Sequence, residues 1–118
     1  MNKLQAVEKL QSPEGMVRVE HTLLQHPDHR YCFFKMLNGN SYEGFKTGAY
    51  ALIDLDAEAK DGDRVLVGDE LHHSVMRLRK TETGWACVPF RKSSLTPWFV
   101  ADPSEVVVGV VERFFEVD

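Results

Sequence analysis

Ser41 stands in the run Gly39-Asn40-Ser41-Tyr42, where flanking glycine and asparagine favour a turn that lifts a hydroxyl clear of the chain. A serine hydroxyl attacks an acyl carbon at neutral pH only when a base within hydrogen-bond reach takes its proton. Lys35 and Lys46 are the nearest lysines in sequence, and either would have to be placed closely to serve. The bland alternative is a turn serine whose hydroxyl bonds the local backbone. Metal chemistry has weaker support. His26-Pro27-Asp28-His29 has His-x2-His spacing, but His72 and His73 are adjacent in a strand-like run and point to opposite faces, so only one of them could join a site. Solvated turn histidines, with no metal and no cofactor, are expected. Cys32 and Cys87 both lie in apolar runs without a Cys or His at ligand spacing and read as two buried, reduced thiols.

The elements that would carry Ser41 are mostly strands. Leu4, Val7 and Leu10 fall at helical spacing before Pro13 and Gly15 break the pattern, which predicts a short N-terminal helix. Residues 16 to 24 alternate as a possible first strand, and His26 to His29 is turn chemistry. Tyr31 to Leu37 is an aromatic and apolar strand that delivers the chain to the serine turn. Ala49 to Leu55 is apolar, Lys60-Asp61-Gly62-Asp63 turns, and Arg64 to Val67 is a strand ending at Gly68-Asp69. Residues 71 to 90 read as a hairpin about Thr81 to Gly84, and Trp98-Phe99-Val100 leads past Pro103 to the run Val106 to Val111. Apolar residues at consecutive positions there predict a strand buried on both faces, or on one face and against a partner. Six or seven short strands with one minor helix make a mainly β domain.

With 118 residues, 43% of them apolar, the chain can bury a core without metal or disulfide staples and reads as one domain. Its net charge of −4 is spread among mixed charges without a basic stripe, which argues against direct binding of nucleic acid. No stretch has the apolar length of a membrane span, and Met1 to Glu8 lacks the apolar core of a signal peptide, so a cytoplasmic protein is expected.

The order and spacing of three segments resemble the LexA and UmuD family of self-cleaving serine peptidases. Phe33 to Ser41 is similar to the family's strand into the nucleophile, Lys60 to Val67 to its Gly-Asp-x-Val-x-Val strand, and Val108-Gly109-Val110-Val111 to its closing Gly-x-Val strand. The resemblance spans about residues 31 to 118, with residues 1 to 30 as an N-terminal arm. It implies a fold of several short, highly twisted antiparallel strands, with Ser41 as nucleophile and a lysine base supplied by a later Val-Lys-Arg-Leu strand. Here that strand reads Ser74-Val75-Met76-Arg77-Leu78. Methionine has the length of lysine, but its thioether is a weak acceptor that takes no proton near pH 7. A core methionine is the ordinary reading of Met76, and it is compatible with a lost catalytic position. Lys80, four residues on, lies about 13 Å further along a strand; His72 or His73, a few residues back along the strand from position 76, is another candidate base.

Other departures point the same way. The loop from Ser41 to Gly48 is short for the family, Tyr42 replaces its usual methionine, and Glu14-Gly15 is the sole early glycine bond, unlike the Ala-Gly or Cys-Gly bonds the family cuts. The residues before the matching region hold one helical segment and no helix-turn-helix pair. The reading is therefore a peptidase-like domain that has lost its base and acts by dimerisation or protein binding, with an active serine peptidase or esterase using another base as the rival. The resemblance implies a homodimer and a protein partner of the DNA-damage or phage-repressor type. Val106 to Val111, followed by Phe114 and Phe115, is a candidate two-fold interface, with an ordinary core strand as the equal alternative.

Overall fold

A computed structural model describes residues 23–26, 28–68, 73–90 and 97–116. The expected N-terminal helix and most of the possible first strand lie outside these residues. The described chain is mainly β, and eight strands form one sheet: β1 (Leu23–Gln25), β2 (Tyr31–Lys35), β3 (Tyr50–Asp54), β4 (Arg64–Gly68), β5 (His73–Thr81), β6 (Gly84–Pro89), β7 (Trp98–Val100) and β8 (Val107–Phe115). The sole helical element among the described residues is a 3-10 turn at Pro103–Glu105, where the Asp102 carboxylate accepts from the Ser104 amide at 3.0 Å. No helix among them is long and apolar enough to cross a membrane.

Spatial order is β1-β2-β3-β8-β4-β5-β6-β7, and every pairing is antiparallel. The strand that comes last in sequence is therefore central. It bonds β3 on one side and β4 on the other, and Val107, Val108 and Val111 are buried. Val107 to Val111 thus belong to a strand bonded on both sides, as the core-strand alternative expects. Gly109 makes its position possible. A Cβ there would stand 2.5 Å from Ile53 Cγ2 and 2.7 Å from the Asp54 carbonyl oxygen, so only a bare backbone lets β8 approach β3 so closely.

Alternation sorts the apolar side chains into two clusters. Val65, Val67, Met76, Leu78, Cys87 and Val107 form one; Cys32, Phe34, Phe45, Ile53, Leu66, Val75 and Val108 belong to the other. In β4 the consecutive Val65, Leu66 and Val67 are all fully buried, the signature of a strand covered on both faces. The two cysteines sit in different clusters and remain free thiols. Burial in apolar surroundings pushes the Cys32 thiol up to about 12 and raises Cys87 as well.

Polar residues lock the strand ends. The Asp54 carboxylate, at the end of β3, accepts from Arg30 Nε at 3.0 Å and Nη2 at 2.8 Å, and from the amides of Asp56 at 3.0 Å and Ala57 at 3.1 Å. The Arg30 guanidinium is the main cause that holds this carboxyl below the usual carboxylate range, and the amide bonds add to it. The turn before β4 closes through Asp63 N to the Lys60 carbonyl at 3.0 Å, with Gly62 at φ +89°, a left-handed conformation that side chains resist. Gly62 N and Leu78 N then exchange bonds across to β5 and to the turn, each at 2.8 Å.

Candidate functional site

Ser41 lies beyond β2, in a turn that is assembled residue by residue. Past the strand, Met36 N donates to the Ala49 carbonyl at 2.8 Å and Gly48 N to the Met36 carbonyl at 2.7 Å, so the outgoing and returning chains stay paired. Gly39 N donates to Thr47 Oγ1 at 2.9 Å. Asn40 and Phe45 then form an antiparallel bridge, Asn40 N to Phe45 O at 2.9 Å and Phe45 N to Asn40 O at 3.2 Å, enclosing one turn from Ser41 to Gly44. Asn40 Oδ1 caps that turn by accepting from Glu43 N at 3.1 Å. The local bonding expected of Ser41 is thus done by Asn40. The Ser41 hydroxyl is exposed and bonds to no other described residue, and Tyr42 beside it is fully exposed.

Two arginines fasten this turn to the sheet. Arg77, on β5, donates through Nη2 to Glu43 Oε1 and through Nη1 to the Gly62 carbonyl at 2.7 Å. Arg64, on β4, donates to the Glu43 carbonyl at 2.9 Å and lies 4.6 Å from the centre of the Phe114 ring. Phe45 and Phe114 pack with ring centroids 4.4 Å apart. The sequence carried a signal for part of this. Asn40 followed three residues later by Glu43 has the spacing of a capping box, but Glu43 turns away from the cap to meet Arg77. The long-range partners Arg64 and Arg77 had no sequence signal.

Position 76 behaves differently. Val75 and Arg77 face the serine turn, and Met76, between them on β5, is 2% exposed and packs among Val65, Val67, Leu78, Cys87 and Val107. Ser41 and Met76 border different hollows. A cleft of about 280 Å³ is lined by Met36 to Asn40 on one wall, by His73 to Met76 on the other, and by Phe90. Ser41 borders a second hollow of about 490 Å³ with Phe45, Lys46, Phe114, Phe115 and Glu116. Asn40 lines the first hollow and its neighbour Ser41 the second, so the turn forms the ridge between them.

The candidate bases divide accordingly. Lys35 and His73 line the cleft with Met76, and Lys46 shares the second hollow with Ser41. Lys46 is 83% exposed with its Nζ 4.0 Å from Glu116 Oε1, and lacks the apolar enclosure that makes a lysine a base. Lys80 lies at the far end of β5 with its Nζ over the Trp85 ring at 5.6 Å. His72 lies outside the described residues. His26 Nδ1 accepts from Asp28 N at 2.9 Å and its ring packs against Phe33 with centroids 5.1 Å apart, so the first histidine of the His-x2-His pair serves the turn. No three His, Cys, Asp or Glu side chains converge among the described residues.

His73, Ser74 and Val75 of β5, paired with Gly68, Val67 and Leu66 of β4, form one wall of the cleft. Leu37, 55% exposed, stands on the opposite wall. An extended segment laid in this cleft would meet apolar surface from Leu37, Phe45 and Phe90. The chain matches no family model and no curated protein.

Proposed function

We propose that this chain is a LexA/UmuD-like peptidase-type domain that has lost its base and works as a protein-binding module, holding an extended segment of a partner chain in the cleft between residues 36–40 and β5. One observation carries the reading. The place at which the resemblance implies a lysine holds Met76, buried among apolar side chains, and the adjoining cleft is lined by the apolar side chains of Phe34, Met36, Leu37, Val75 and Phe90. Binding of this kind draws affinity from apolar surface buried in the cleft and selectivity from the few polar groups that line it. The resemblance adds a cytoplasmic setting, a homodimer, and a partner drawn from DNA-damage or phage-type regulation.

The test is a titration of the ¹⁵N-labelled protein with a capped peptide alternating valine and threonine. Amide shifts confined to residues 36–40, His73–Val75 and Phe90 support the reading, and shifts scattered over the surface or absent at millimolar peptide overturn it. A second reading, a serine peptidase or esterase with Ser41 as nucleophile and a different base, is favoured by one feature: Ser41 and Lys46 share a hollow. A fluorophosphonate probe that labels Ser41 in the unmodified protein, and not in Ser41→Ala, would establish that reading in place of the first.

A further inference from the structure

We propose that Asn38-Gly39 is a deamidation site, and that the Thr47 hydroxyl sets its rate. The proposal is independent of any ligand in the cleft. An asparagine is converted when the main-chain nitrogen of the next residue attacks its side-chain carbonyl carbon. The nitrogen gives up its proton, ammonia leaves, and a five-membered imide closes; water then opens the imide at either carbonyl, leaving aspartate or an isoaspartate linked through its side chain. Glycine as the following residue offers the least steric resistance to the attack.

Three observations place this chemistry at Asn38. The side chain is exposed at the wall of the cleft, open to the water that completes the reaction. The residue that follows is a glycine by structural necessity: a Cβ at Gly39 would stand 2.7 Å from Thr47 N and 3.1 Å from the Lys46 carbonyl carbon, so no bulkier residue can shield the site. The attacking nitrogen is engaged, because Gly39 N donates to Thr47 Oγ1 at 2.9 Å. Attack therefore waits on the opening of that one hydrogen bond, on an exposed residue of the returning chain. The product is disruptive for the same reason that glycine is required. An isoaspartate lengthens the main chain by one methylene beside a glycine with no room to move toward Lys46 and Thr47, and either product puts a carboxylate on the cleft wall next to the serine turn.

The folded wild type, Thr47→Val and Thr47→Ser are incubated at mildly alkaline pH beside the wild type in concentrated urea, and peptide mapping follows the one-dalton gain and the isoaspartate at Asn38. Asn40, followed by Ser41 and held through its own side chain by the Glu43 amide, is the internal reference. Thr47→Val keeps the side-chain shape and loses only the hydroxyl. It should convert Asn38 about fivefold faster than the wild type, the population factor that matches one neutral hydrogen bond, with Asn40 unchanged; Thr47→Ser should stay near the wild-type rate. Equal Asn38 rates in wild type and Thr47→Val, or a folded wild type that converts as fast as the chain in urea, would overturn the proposal.

Discussion

Replacing Met76 by lysine restores the residue type that the resemblance implies, and the structure fixes what that costs. The two side chains have similar length, so the change leaves packing nearly intact and chiefly introduces an ammonium into a site that is 2% exposed and walled by Val65, Val67, Leu78, Cys87 and Val107. Burial of that degree can depress a lysine to about 5–6, so the folded protein keeps the group neutral at pH 7 while the unfolded chain protonates it near its ordinary value of about 10.4. Giving up the proton at pH 7 then costs about 1.36 kcal/mol for each of about 3.4 units, or about 4.6 kcal/mol. That is a large part of the about 5–15 kcal/mol that holds a domain together. Because the folded value lies below the unfolded one, the unfolded state binds more protons across this window, and the penalty shrinks as pH rises. By pH 10 it should fall below about 1 kcal/mol. Urea unfolding of Met76→Lys against the wild type at pH 7, 8, 9 and 10 measures the difference directly. A penalty that stays flat with pH would refute the reasoning, since it would mean that the lysine reaches solvent or a carboxylate and never sits in the apolar cluster.

Two further perturbations address how the sheet and the serine turn are held. Asp54→Asn should remove an acid-sensitive share of stability: the folded Asp54 carboxyl is depressed by Arg30, so its contribution is complete above the unfolded value of about 3.9 and is lost as pH falls below it. Acid titration of thermal stability should therefore show a shallower loss below about pH 4 in Asp54→Asn than in the wild type. Glu43→Ala removes the carboxylate that receives Arg77, both side chains being largely buried, and should destabilise the domain by about 1.5–3 kcal/mol in urea unfolding, the range for a charge-assisted bond. Amide exchange should quicken first at Gly44 and Phe45, whose N–H groups bond to Asn40 within the same turn.

Patterning made most of the sheet legible. Alternation and turn residues locate β2, β3, the Lys60–Asp63 turn and the hairpin of β5 and β6 within a few residues, because burial of one face and the left-handed glycine at Gly62 are local matters. The run at Val106 to Val111 announced burial without saying by what. Hydrogen bonds to both β3 and β4 give the answer, and no local pattern could have supplied it because those partners lie some 40 to 60 residues earlier in the chain. At the site, the turn about Ser41 was legible from Gly39 and Asn40, but not which residue would cap it. The separation of Ser41 from Met76 was hidden for a similar reason: alternation places Met76 opposite Val75 and Arg77, and only the contact of Arg77 with Glu43 reveals which of those faces meets the serine turn. Nothing local marks Glu43, Arg64 and Arg77, because their roles depend on contacts between distant segments.

The central place of β8 also dictates an order of assembly. Strands β1 to β3 and strands β4 to β7 can each form as antiparallel ribbons as the chain emerges, but β3 and β4 have no bond to one another until residues 107–115 arrive between them. Until then each ribbon shows a raw edge, the kind of surface that pairs with the wrong chain. Closure depends on contacts distant in sequence, and such contacts slow folding. A chain cut short before Val107 would thus yield two half-sheets with nothing to join them, and the sheet can close only after residues 107–115 have been made.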